Sequence, residues 1–230
     1  MKKFLMAAVV LLGSISLANA ERFSIGVTAT GALFTADDAS EIFSGDHAGN
    51  RTSDKVTKKT SDEGEDAEAL VGMASIFVEL NANDRISLGV NYVPHSMDSE
   101  STENTTNTEG GAFTDSKINT VKVSFEDLTT VYALANINDN IYAKVGYVEV
   151  ELITEESLGT GGSYGNATLD GYTVALGYSM DLDDGMFARF EASYMDLDGA
   201  TFVNANDSTK SVKADGISGY GAGISVGKSF

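Results

Sequence analysis

Five ionisable side chains fall where a period-two strand pattern turns away from its apolar face: Glu79, Lys122, Lys144, Arg189 and Glu191. Asn91 belongs to the same set, and the residues around it on that face are mostly glycine, serine, alanine and threonine. Charges of both signs enclosed together can neutralise one another as a salt-bridged plug, or line a narrow polar conduit. A lone enclosed charge is costly, so approximate balance is the expectation.

Other chemistries find less support. Acidic clusters at Asp37-Asp38, Asp62-Glu63-Gly64-Glu65-Asp66 and Asp98-Ser99-Glu100 are rich in oxygen ligands of the kind calcium takes. The EF-hand spacing is absent, and in Asp181-Leu182-Asp183-Asp184-Gly185 the acids are out of phase with the glycine. Solvated loops are therefore the reading, with no specific metal. The two histidines, His47 and His95, have no serine or acid at a spacing that marks a triad or a metal pair. Neither an enzyme nor a cofactor is expected. Cysteine is absent, which removes disulfide frameworks, thiolate sites and cysteine nucleophiles together. Four matches to the glycosylation sequon, at Asn50, Asn104, Asn166 and Asn206, are read as composition noise.

The elements that position the charged set are strands. Tyr220, Ala222, Ile224, Val226 and Phe230 alternate with small residues, Lys228 being the exception on the apolar face. Residues 171–182 place Tyr172, Val174, Leu176, Tyr178, Met180 and Leu182 on one side, and residues 186–194 do the same with Met186, Phe190 and Tyr194. One register satisfies both: with Leu182 opposite Met186, Tyr178 meets Phe190 and Val174 meets Tyr194. Further strands are expected at 23–34, 70–80, 86–92 and 141–147, while 118–135 has two mixed faces and no clear register. Eight strands result. Short polar turns at 81–84, 136–140 and 183–185 alternate with long polar connections at 36–66, 97–117, 154–167 and 196–215.

Residues 1–20 read as a signal peptide: Lys2 and Lys3, an apolar core from Phe4 to Leu12, and the small-residue site Ala18-Asn19-Ala20. A single domain over 21–230 follows. Losing Lys2 and Lys3 takes the formal charge from -19 to -21, a balance that repels nucleic acid. Past residue 20 no run of eighteen apolar residues occurs, which excludes a transmembrane helix. Alternating turn lengths point instead to an all-β, closed, antiparallel, up-and-down transmembrane β-barrel with short periplasmic turns and long extracellular loops. Tyr92, Tyr147, Tyr172, Tyr194 and Tyr220 fall toward the long-loop ends, as one aromatic girdle would.

These residues resemble the eight-stranded outer-membrane barrels: the OmpA-type transmembrane domain, the opacity-type surface proteins and the OmpW-type barrels. The resemblance spans 21–230, and its most specific element is the terminal strand from Tyr220 to Phe230. It implies the outer membrane of a Gram-negative bacterium, with lipopolysaccharide and lipid as surroundings. It also implies delivery by periplasmic chaperones and insertion by the barrel-assembly machinery, for which Tyr220, Ile224, Val226 and Phe230 match the assembly signal. No peptidoglycan-binding domain is expected after the last strand. A fold of this kind does not choose among scaffold, adhesin and channel. The leading expectation is a non-enzymatic surface barrel serving envelope integrity and adhesion through acidic loops. The alternative is a porin-like channel for small solutes, and a soluble lipocalin-like barrel is the structural competitor, with its apolar face turned inward.

Overall fold

The computed structural model describes residues 23–36, 39–43, 57–58, 67–99, 102–107, 116–159 and 161–230. The signal-peptide reading, His47 and the acidic clusters at 37–38 and 62–66 lie outside them. Eight long strands form the body: β1 (Phe23–Ala36), β2 (Ala67–Asn81), β3 (Ile86–Tyr92), β4 (Ser116–Asn136), β5 (Ile141–Leu158), β6 (Ala167–Asp181), β7 (Met186–Leu197) and β8 (Ile217–Ser229). Each pairs antiparallel with its sequence neighbours, and β8 closes on β1 through Ser24↔Ser229 to Ala36↔Ile217. The ladders thus close into a ring, which a bilayer requires of any sheet that crosses it.

Stagger follows from the register. From Glu68 on β2 the paired row passes through Thr35, Ser218, Asp196, Tyr172, Tyr147, Val131 and Val90. It returns to β2 at Val78, ten residues from its start. Eight strands with that shear tilt by about 40° and enclose a space that side chains nearly fill.

Sidedness is settled by exposure. Tyr172, Phe190 and Ile224 point away from the barrel, as do Val27, Ile76, Leu176 and Val226, while Ser24, Ser75, Glu79, Thr130 and Ser225 are buried inside. The soluble alternative needs the reverse and is thereby excluded.

Two hairpin turns use one device. In Asn81-Ala-Asn83-Asp-Arg-Ile86 the Asn83 Oδ1 accepts the N–H groups of Arg85 and Ile86, both at 2.9 Å. In Asn136-Ile-Asn138-Asp-Asn-Ile141 the Asn138 Oδ1 accepts those of Asn140 and Ile141 at 3.0 and 2.8 Å. A side-chain oxygen thus satisfies amides that a four-residue loop leaves free. Asn138→Ala is expected to cost about 1 kcal/mol in a denaturant titration of the folded barrel. The third turn depends instead on left-handed backbone at Asp184 (φ 59) and Gly185 (φ 72).

β4 explains its own illegibility. A bulge between Glu126 and Thr129, with Asp127 at φ 55, shifts the register against β5. Beyond it Thr130, Tyr132 and Leu134 are buried; before it Val123 and Phe125, of the opposite parity, pack inward. An alternation read straight across that point mixes two faces.

The long connections carry structure of their own. Ala39–Phe43, Thr57–Lys58, Ala200–Val203 and Lys210–Ala214 form a separate four-stranded sheet that joins the first and last long loops. Thr102–Asn107 folds back along the start of β4.

Candidate functional site

The barrel interior is the candidate site, and its short-turn half is filled by a matched set of large and absent side chains. Four inward aromatics each stand directly opposite an inward glycine on a neighbouring strand: Phe77 opposite Gly26, Tyr132 opposite Gly89, Tyr142 opposite Gly177, and Phe187 opposite Gly227. Each ring lies over its glycine so closely that a Cβ there would overlap it. Glycine is required by the approach of the ring, since every one of these positions has ordinary extended backbone.

Charges hold the rings together. Arg189 of β7 grips Glu79 of β2 with both ends of its guanidinium, Nη1 to Oε1 at 2.6 Å and Nη2 to Oε2 at 2.9 Å. Glu79 is 1 % exposed, and the Tyr132 hydroxyl also donates to it at 2.9 Å. A second pair repeats the arrangement: Lys144 of β5 contacts Glu191 of β7, and the Tyr142 hydroxyl donates to Glu191 at 3.0 Å. The Arg189 guanidinium sits 4.4 Å from the Phe187 ring centre and 5.4 Å from that of Tyr142, while the Lys144 ammonium lies 5.1 Å from the Tyr132 ring. Two carboxylates and two cations make the enclosed set neutral. Charge, hydrogen bond and ring contact act together, which is how a low-dielectric interior tolerates ions.

Above this plug the interior is polar. Thr28 and Ser225 share a hydrogen bond of 2.8 Å, and Asn91 donates to Ser75 at 3.0 Å. A cavity of ≈ 90 Å³ opens here among Thr28, Thr30, Asn91, Thr130, Thr173 and Ser193. That is room for about three waters.

Higher still, toward the long loops, polarity inverts. Val148, Val150 and Leu152 of β5 face inward and are buried, together with Val93, Leu128, Leu169 and Leu197. The intervening Glu149 and Glu151 are not among the buried residues, whereas below Tyr147 the outward residues are Ile141 and Val145. An interior of oil under an exterior of acid suits water outside, so the change of pattern marks where the strands leave the membrane. Sequence reading missed both this layer and the four aromatics, expecting small residues throughout.

The inversion coincides with a row of tyrosines. Tyr147, Tyr172 and Tyr220 are exposed, the last by 72 %, and the Tyr194 ring lies 6.3 Å from Tyr172 and 5.1 Å from Tyr220. The Tyr92 hydroxyl donates to Asp127 at 2.6 Å, and the carboxylates of Asp170 and Asp196 lie beside Tyr147 and Tyr172. Asp196 was within reach of the sequence, because pairing Val174 with Tyr194 places it opposite Tyr172. Amphipathic rings with their polar ends fixed on the water side are what a membrane boundary favours.

Of the five expected charges the structure brings four together and sets Lys122 apart. Lys122 stands on the far stretch of β4, before the bulge, where its ammonium contacts Asp98 at 2.9 Å and Glu155 at 3.8 Å. Its ammonium and the Ser124 hydroxyl hold the Asp98 carboxyl below the usual aspartate range. At the other end Phe230 stacks on Phe23 at 4.8 Å and donates its N–H to the Phe23 carbonyl at 2.9 Å. Ile224, Val226 and Tyr220 face outward. Among the described residues no group of three His, Cys, Asp or Glu converges as a metal site.

By fold, then, the chain is a closed eight-stranded antiparallel barrel of the outer-membrane type, with a neutral, ring-packed interior. It is similar over 94 % of its length to the outer membrane protease OmpT from Escherichia coli, of which it covers 99 %, at a TM-score of 0.51 and 12 % identity. It is similar over 91 % of its length to the outer membrane protein OprG from Pseudomonas aeruginosa, of which it covers 98 %, at 0.50 and 12 %. No protein-family model matches the chain, and no curated protein matches it by sequence.

Proposed function

We propose that this protein is a non-enzymatic barrel of the outer membrane of a Gram-negative bacterium, exported through an N-terminal signal peptide. It contributes to envelope integrity and meets its partners through the acidic long loops. The plug carries this reading: a bidentate Glu79–Arg189 pair, a second pair at Lys144 and Glu191, and four rings over four glycines fill the short-turn half of the interior. Display is supported by the separate sheet that ties the first long loop to the last. Lipopolysaccharide and lipid surround the exposed rows, and periplasmic chaperones and the barrel-assembly machinery act on the chain during biogenesis, reading Tyr220, Ile224, Val226 and Phe230.

Purified protein in a planar bilayer is expected to give no discrete, salt-dependent conductance steps. A binding assay with the long loops exchanged is expected to lose any surface interaction while the barrel remains folded. The second reading, a small-solute channel, draws on the interior cavity, which is lined by polar side chains and by Met73, Val93 and Leu128. Stepwise conductance in the same bilayer would favour it, and charge reversal at Arg189 should then alter ion selectivity.

A further inference from the structure

Beyond Ile76 and Tyr92 the wall between β2 and the segment after β3 is closed by something other than a ladder. Ile76 and Tyr92 are the last paired residues of these strands, and β2 runs on from Ser75 to Ala67. Among the described residues no strand pairs with that stretch on the β3 side. Continued pairing would bring Pro94 opposite Ala74, and proline has no N–H to offer the Ala74 carbonyl, so the ladder stops there. In its place the Ala74 amide donates to Nε2 of His95 at 3.0 Å, while Nδ1 lies 3.1 Å from the Ser96 carbonyl oxygen.

The tautomer follows from the partners. A backbone N–H only donates, so Nε2 holds a lone pair, and a carbonyl only accepts, so Nδ1 carries the proton. The ring is therefore neutral in this contact. A second proton on Nε2 would set donor against donor and remove the bond.

We propose that His95 is an acid-released latch on this seam. Neutral, it replaces a missing ladder bond and holds β2 to the segment after β3; protonated, it releases the β2 edge from Glu68 to Ala74. The charged groups nearby have other partners. Asp98, on the segment of His95, accepts from Lys122 at 2.9 Å and Ser124 at 2.7 Å. Asp127, on the bulge of β4 beside Val93, accepts from Tyr92. On the upper part of β2 the one charge is Glu68, at the far end of the stretch. Met73, Val93 and Leu128 lie directly inside the seam and line the interior cavity, so the latch also bounds that space.

The test is amide exchange at residues 67–75 of the full chain folded in a lipid bilayer, corrected for the intrinsic rate, at pH 8 and pH 5, across which histidine changes charge. Protection of Ala74 is expected to fall about tenfold at pH 5, the equivalent of one lost hydrogen bond. His95→Gln, which keeps an acceptor and does not titrate, should show equal protection at both values. A wild-type protein protected equally at both, or the same fall in the variant, would overturn the latch. Nitrogen NMR of the wild-type imidazole gives a reading independent of the variant: a lone pair on Nε2 at pH 8 supports the proposal and a proton there defeats it.

Discussion

Replacing Arg189 by alanine should cost the barrel about 3–5 kcal/mol, the penalty for stranding one member of a buried ion pair. The reason is the position of Glu79. Its carboxylate is 1 % exposed and accepts from both ends of the guanidinium and from Tyr132. Without Arg189 only the tyrosine hydroxyl remains to it, and the rings of Phe187 and Tyr142 lose the cation they surround. Water can enter the space left behind, but only by opening the plug. The double variant Glu79→Leu, Arg189→Met removes both charges and should lose less than the single one, because no ion is left unpaired. The chain has no tryptophan, so reversible urea unfolding in lipid vesicles is best followed by circular dichroism and by the gel shift of the folded form. If Arg189→Ala is as stable as the wild type, Glu79 is hydrated and the closed plug is wrong.

How much of this was legible depended on how local the cause was. The alternation at 171–182 and 186–194 is a property of contiguous residues, and it gave both the outward face and the register that puts Tyr178 against Phe190. The charges at 79, 144, 189 and 191 were visible for the same reason, as exceptions on a small-residue face. Their pairing was not, since Glu79 and Arg189 lie on β2 and β7, which are not adjacent, and meet across the lumen. Lys122 was placed with them because period two was read through the bulge at Asp127, which shifts the register of β4 midway. The apolar layer was missed because a single in-out rule was applied to whole strands. β5 obeys it up to Tyr147 and the opposite rule from Val148, and the turning point is the water boundary. A reading that allowed the rule to invert at each girdle tyrosine would have found Val148, Val150 and Leu152.

Gly177→Ala should destabilise the barrel by about 1–3 kcal/mol although it adds only one methyl group to an extended strand. On an ordinary strand the same change is neutral or favourable, because alanine has less backbone freedom to lose. Here the new Cβ would overlap the ring of Tyr142, which faces it across the β5–β6 pair. That ring cannot simply swing away: its hydroxyl donates to Glu191, and the Arg189 guanidinium lies 5.4 Å from its centre. Strain therefore passes to the second ion pair, at Lys144 and Glu191. Tyr142→Leu alone should cost about 2–4 kcal/mol through lost volume and the lost hydrogen bond. Combined with Gly177→Ala, however, the smaller side chain makes room for the methyl group, and the double variant should be more stable than the two single losses predict by at least about 1 kcal/mol. Gly31 provides the contrast, since a Cβ there meets open space and Gly31→Ala should leave stability nearly unchanged. Strict additivity at positions 142 and 177 would mean that ring and glycine do not share the same space, and the interior would then be looser than a plug must be.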